Sequence, residues 1–170
     1  MQIEIQPQPD AIEHWQELLA DPELARWPGK IETDRFGRIL MSPPPAFDHT
    51  RYVAKIIELL HGLLPDGHAA AETPVLTPDG VKVADAAWFS HDYWDELESQ
   101  HPAALERAPE ICVEVLSPSN KPAEMDEKRT LYVVAGAREV WLCSLNGTLS
   151  FFTPELSAES TLCPQFPKQL

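Results

Sequence analysis

The chain has 170 residues, 44% of them apolar and 24% charged, and its 13 basic against 27 acidic side chains leave a net charge of −14. This composition belongs to a soluble globular fold long enough to bury a core without disulfides or structural metal, and no window reaches the roughly 18 uninterrupted apolar residues of a membrane span. Acidity counts against nucleic-acid partners, whose affinity rests on phosphate neutralisation, although a divalent ion would reverse the local potential where phosphate approaches.

Met1 to Pro7 carries no basic stretch leading into an apolar region, so export is not expected and a cytoplasmic, bacterial-type location is the default. One domain over 1–170 is expected, with a core at about 27–153 and a weakly patterned tail at 154–170. Asp10 opens a short amphipathic helix over 10–20. Lys30 to Met41 reads as a hairpin turning at Asp34-Arg35-Phe36-Gly37, stopped by Ser42-Pro43-Pro44-Pro45. Val53, Ile56, Ile57, Leu60, Leu63 and Leu64 recur at helical spacing, which predicts a helix over 47–64.

Two strand-like runs, 68–77 and 80–89, flank the turn Thr77-Pro78-Asp79-Gly80. A short helix plus loop is expected from His91 to Ala104, then a buried strand from Ile111 to Leu116. A helix over about 121–135 ends at Gly136, and a final hairpin joins Glu139–Leu145 to Thr148–Thr153 through Asn146-Gly147. The series predicts an α/β fold with a mixed central sheet flanked by helices. Cys112, Cys143 and Cys163 are odd in number and widely spaced, as core-packing free thiols would be.

Two acids sit in strands that read as buried. Glu114 interrupts Ile111-Cys112-Val113-Glu114-Val115-Leu116, and alternation puts Asp85 on the face of Val81, Val83, Ala87 and Phe89. Burying an ion costs several kcal/mol after relaxation, so each needs a counter-charge, a hydrogen-bond network or a metal. Met125, Lys128 and Tyr132 share one helical face. If that face packs on the sheet, the Lys128 ammonium reaches the strand ends. Two carboxylates and a lysine suit phosphodiester hydrolysis: hard oxygens hold Mg²⁺ or Mn²⁺, the ion activates water, and the lysine steadies developing charge. The Val115 carbonyl could add a ligand.

Val83-Ala84-Asp85-Ala86-Ala87-Trp88-Phe89 followed by Pro109-Glu110-Ile111-Cys112-Val113-Glu114-Val115-Leu116-Ser117-Pro118-Ser119 resembles the Uma-type family of bacterial restriction-endonuclease-like proteins. So do Glu127 to Tyr132, Ala135-Gly136, Glu139-Val140-Trp141-Leu142, and Gly37 to Pro44 followed by His49. The resemblance implies a restriction-endonuclease-like core of the PD-(D/E)XK superfamily, a divalent metal and a nucleic-acid substrate, and DNA is the expected partner. Asp85 and Glu114 match its metal-binding acids. Ala84 stands where a proline commonly precedes the Asp, and Leu116 stands where the signature places its lysine, so the resemblance implies Lys128 as the substitute from the helix.

The residues themselves leave alternatives. Asp85 and Glu114 could instead form a buried network with Lys128 and Lys82. His49 reads first as capping or edge packing at the long helix, Glu32 as a solvent-facing strand acid, and Glu72 as outside the cluster. Ser117 lacks a histidine nearby in sequence and suits a turn. Two other functions remain open beside a metal-dependent endonuclease: an inactive nuclease-fold interaction protein, which the acidity favours, and a hydrolase of small phosphorylated or nucleotide substrates. A homodimer is permitted.

Overall fold

The helical spacing of Ile56 and Leu60 and the strand-like runs on either side of Thr77–Gly80 both persist in the computed structural model, which describes residues 10–170. Residues 1–9, which carried the reading on export, lie outside the described residues. Among the described residues four α-helices form, α1 (Ala11–Ala20), α2 (Phe47–Leu63), α3 (His91–Gln100) and α4 (Pro122–Val134), besides a 3-10 turn at Leu24–Arg26. The strands are β1 (Ile31–Thr33), β2 (Ile39–Met41), β3 (Gly67–Thr77), β4 (Gly80–Ser90), β5 (Ile111–Val115), β6 (Glu139–Cys143), β7 (Leu149–Phe152) and β8 (Leu156–Ser157).

β3 to β8 make one sheet in chain order, while β1 and β2 pair separately as a hairpin. Within the large sheet only β5 and β6 run parallel, with α4 between them in the chain, and the other neighbours are antiparallel. The sheet is therefore mixed, as the alternation of hairpins with one helical crossover requires. Tyr52, Ile56 and Leu60 of α2 pack against Ile111, Val113 and Val115 of β5 and Trp141 of β6. Tyr132 of α4 packs with Cys112 and Val140. Both faces of β5 are covered, which is why all five of its residues are buried and why an acid there must find partners inside the protein.

The three cysteines are buried free thiols. The tail departs from expectation. It was read as weakly patterned, yet Cys163 and Phe166 are buried against Trp141 and Phe151. Glu139 anchors it: the carboxylate, fully buried, accepts from the Ser160 and Thr161 hydroxyls, the Thr161 and Leu162 N–H groups and the Trp141 indole. This burial comes from one acid at the head of a strand, a signal that hydrophobic periodicity does not carry.

The β1–β2 hairpin lies across the part of β4 that β5 does not reach. The β4–β5 ladder ends at Ala86↔Val113, so the main chain of β4 before Ala86 needs other partners. Side chains of β1 and of Lys30 just before it supply them. Thr33 Oγ1 accepts from Val81 N–H at 2.9 Å, Glu32 Oε1 accepts from Val83 N–H at 2.7 Å, and the Lys30 ammonium donates to the Val83 carbonyl at 2.8 Å. Gly80 makes the close approach feasible: its φ is +84°, and a Cβ there would stand 2.5 Å from the Asp34 carbonyl oxygen.

Candidate active site

One register position beyond the last β4–β5 pair, Asp85 stands opposite Glu114. The two acids thus come from adjacent strands on one face of the sheet, as cross-strand neighbours do. In place of a ladder hydrogen bond, Asp85 Oδ2 accepts the Val115 N–H at 2.7 Å. The main chain at Val115 therefore faces β4, and a residue's N–H and carbonyl leave a strand on the same side.

The acids are buried, with side-chain exposures of 2% for Asp85 and 4% for Glu114. Lys128 reaches them from α4 as its helical face predicted. Its ammonium lies 2.9 Å from Glu114 Oε1 and 2.8 Å from Glu32 Oε1, and the Tyr132 hydroxyl donates to Glu114 Oε1 at 2.6 Å. The helical spacing of four brings Lys128 and Tyr132 to the same carboxylate oxygen. Lys128 is buried rather than extended over the surface.

Lys30 completes the arrangement. Its ammonium bonds Asp85 Oδ1 and stands 3.8 Å from Glu114 Oε2, so one cation lies between the two acids. His49, at the opening of α2, places Nε2 3.3 Å from Asp85 Oδ2. Three carboxylates, those of Glu32, Asp85 and Glu114, thus face two ammonium groups and one imidazole.

Titration follows from these contacts. Burial alone would raise the Asp85 carboxyl, but His49, Lys30 and the Val115 N–H hold it below the usual carboxylate range. Burial is also the largest influence on Glu114 and lifts its carboxyl to about 7, against the opposing pull of Lys128 and Lys30. Burial would lower the two lysines; Glu114 foremost, with Glu32 and, for Lys30, Asp85, keeps both above their ordinary value and charged. His49 is raised chiefly by its bond to Asp85. Glu114 is the member of the network whose ionisation is costliest.

Several expectations change here. Glu32 was read as a solvent-facing strand acid; instead it joins β1 to β4 and to Lys128. His49 reads in the sequence as capping or edge packing; no side-chain hydrogen bond caps α2, and the half-buried imidazole meets Asp85. Lys82 does not join the acids: it bonds the Thr33 carbonyl and Asp79. Glu72 occupies the register position opposite Asp85 on β3, between the pairs Ala71↔Ala86 and Thr73↔Ala84. There the ladder is interrupted and its φ is +48°, a left-handed conformation that costs a non-glycine residue about 1 kcal/mol or more. Glu72 keeps solvent access, yet desolvation by the protein around its carboxyl, aided by the repulsion of Asp85 and opposed by the pull of Lys30, raises its pKa.

Lys30 is the residue that the sequence reading missed. Its separation of two from Glu32 was the available signal, since residues i and i+2 of a strand share a face. Only the docking of β1 on β4 shows which face that is.

The donor set suits Mg²⁺ or Mn²⁺ in chemistry, since carboxylate and carbonyl oxygens are hard ligands. A cation already bridges the two acids in the form of the Lys30 ammonium, which marks a position from which an ion would face both. Among the described residues no three His, Cys, Asp or Glu side chains converge on one such point. The protein grip would therefore be Asp85, Glu114 and the Val115 carbonyl, with remaining positions left to water and substrate, the open arrangement that Mg²⁺ favours.

A model of the Uma2 family, described as "Putative restriction endonuclease", matches residues 15–169. No curated protein matches. Among solved structures, a protein from Anabaena variabilis described as "a putative nuclease belonging to DUF820" is similar with a TM-score of 0.64 at 18% identity, covering 90% of this chain and 80% of that one. At that identity the likeness is one of fold, and the mixed sheet with its flanking helices is what the two proteins share. With the family match spanning nearly all of its length, the chain belongs to the Uma2 family.

Proposed function

We propose that this chain is a metal-dependent endonuclease that hydrolyses phosphodiester bonds in nucleic acid, DNA being the substrate class. The observation that carries the reading is the single cation position shared by Asp85 and Glu114, now filled by Lys30. Membership of the Uma2 family supports it. Asp85, Glu114 and the Val115 carbonyl would hold Mg²⁺ or Mn²⁺, which would activate water and offset charge on the phosphoryl oxygens. Lys128 keeps a fixed positive charge beside Glu114 and steadies the growing negative charge of the transition state. Tyr132, donating to the same oxygen, fixes the rotamer of Glu114. His49 and the Val115 N–H orient Asp85.

Incubation of plasmid, single-stranded DNA and RNA with Mn²⁺ or Mg²⁺, and with chelator, tests the proposal. Wild type should cleave at least one substrate only with metal, and Asp85→Ala and Glu114→Ala should each lower the rate roughly a hundredfold or more, beyond the usual cost of losing an outer-shell partner. Cleavage by both variants at the wild-type rate would refute it.

A second reading is an inactive interaction protein on the nuclease fold. One observation favours it: the carboxylates are already neutralised internally by Lys30 and Lys128, so the network is self-sufficient without metal. On that reading Mn²⁺ leaves the thermal midpoint of wild type unchanged.

A further inference from the structure

Among the cationic side chains of the cluster, Lys30 alone has no part in the chemistry proposed above. Its ammonium lies where a divalent ion would face Asp85 and Glu114 together. A second ammonium, that of Lys128, sits beside the same Glu114, but the two lysines are held differently. Lys128 is pinned between two carboxylates at 2.8 and 2.9 Å, whereas Lys30 approaches Glu114 only to 3.8 Å and has Asp85 and the Val83 carbonyl as its close partners. Lys30 is also the more accessible, with 15% of its side chain exposed against 10% for Lys128. It leads into the short β1–β2 hairpin, whose second strand is solvent-exposed.

We propose that Lys30 is a tethered cation that holds Asp85 and Glu114 together in the metal-free protein and yields its place to Mn²⁺ or Mg²⁺, so that metal binding is a cation exchange. The inference rests on the cation-assisted reading above and adds to it the residue that tunes metal affinity.

Charge explains both states. Two carboxylates facing each other in a dry interior repel, and each unpaired buried ion costs several kcal/mol. Lys30 and Lys128 remove that penalty, which lets the strands close without metal. A divalent ion supplies two charges at the point where Lys30 supplies one. Its arrival makes the neighbouring ammonium a like charge, and the flexible four-carbon stem of Lys30 gives the ammonium a route to solvent. The apparent metal affinity is then the intrinsic affinity reduced by the work of moving Lys30, as for any site whose competent state is a minor one.

Two measurements test this. The first is calorimetric titration of Mn²⁺ into wild type, Lys30→Gln and Lys30→Met. Lys30→Gln retains an N–H donor for the Val83 carbonyl without the charge, and Lys30→Met retains the stem. Both should bind Mn²⁺ about tenfold more tightly than wild type, or better, as removal of the competing state requires. Equal or weaker binding by both variants overturns the role of Lys30. The second needs no variant: wild type is acylated with an amine-reactive reagent, with and without saturating Mn²⁺, and each lysine is quantified by peptide mass spectrometry. Acylation of Lys30 should rise several-fold with Mn²⁺ while that of Lys128 stays constant. If Mn²⁺ binds and Lys30 labelling does not rise, the exchange is refuted although the metal site stands. If calorimetry detects no Mn²⁺ binding to wild type or to either variant, the cation-assisted reading fails and the exchange fails with it.

Discussion

Lys128, Tyr132 and Lys30 all address the carboxylate of Glu114. A buried charge of this kind is stabilised by its partners and penalised by its burial, so removing one partner matters more than removing the pair. Lys128→Met should therefore lower the unfolding free energy by about 3 kcal/mol, and adding Glu114→Gln to it should restore part of the loss, read by urea denaturation. Tyr132→Phe removes one donor from the same oxygen and should cost about 1–2 kcal/mol in the same assay. Glu72 tests the opposite trade. With φ at +48° beside the broken ladder, Glu72→Gly should leave stability unchanged or raise it by up to about 1 kcal/mol. A loss of several kcal/mol would show that the Glu72 carboxylate, not its backbone, is what the fold relies on.

Among the elements, β1 and the C-terminal tail show how a segment with little periodicity acquires a fixed place. β1 is three residues long, too short for a strong alternation signal, and it is held by hydrogen bonds to the unpaired length of β4. Gly80→Ala should unseat it, because the added Cβ meets the Asp34 carbonyl on a left-handed backbone; a loss of about 2 kcal/mol is expected by thermal or urea unfolding. The tail depends on Glu139. Burial would raise its carboxyl, yet bonds from Ser160, Thr161, Trp141 and Leu162 overcome this and hold it below its ordinary 4.5. A depressed folded-state pKa means stability that is fully present above the unfolded value of 4.5 and lost as pH falls through the lower folded value. Glu139→Gln should accordingly be less stable at neutral pH and lose less than wild type between pH 5 and about 3, measured by urea midpoints across that range.

At the scale of the molecule, charge and topology pull apart. Net charge is −14, and many cations outside the cluster are already paired: Arg35 with Asp79, Arg38 with Asp34, Arg51 with Asp48, Lys55 with Glu58, Arg107 with Glu96 and Arg129 with Asp126. Few are left to displace counterions from a duplex. Binding of a short DNA duplex in the presence of Ca²⁺, followed by fluorescence anisotropy, should therefore show a shallow salt dependence, with a log–log slope of about −2 or smaller in magnitude. A slope several times steeper would mean that assembly or rearrangement gathers cations not clustered in this chain. Among the described residues no helix is long and apolar enough to cross a membrane.

The sequence by itself determined the order of elements, the burial of Asp85 and Glu114, and the direction of Lys128. Each depends on a period of two or 3.6 residues and on the cost of burying charge, and both are local properties of the chain. It also carried the family signature in the strands around these acids. Tertiary structure alone decided that Glu32 and His49 belong to the cluster, that Lys30 fills the position between the acids, and that Glu139 draws the tail onto the sheet. Those contacts join residues separated by some twenty to almost a hundred positions, and their partners are fixed by where a short hairpin and a final loop dock. Residue spacing within one element carries no information about that docking.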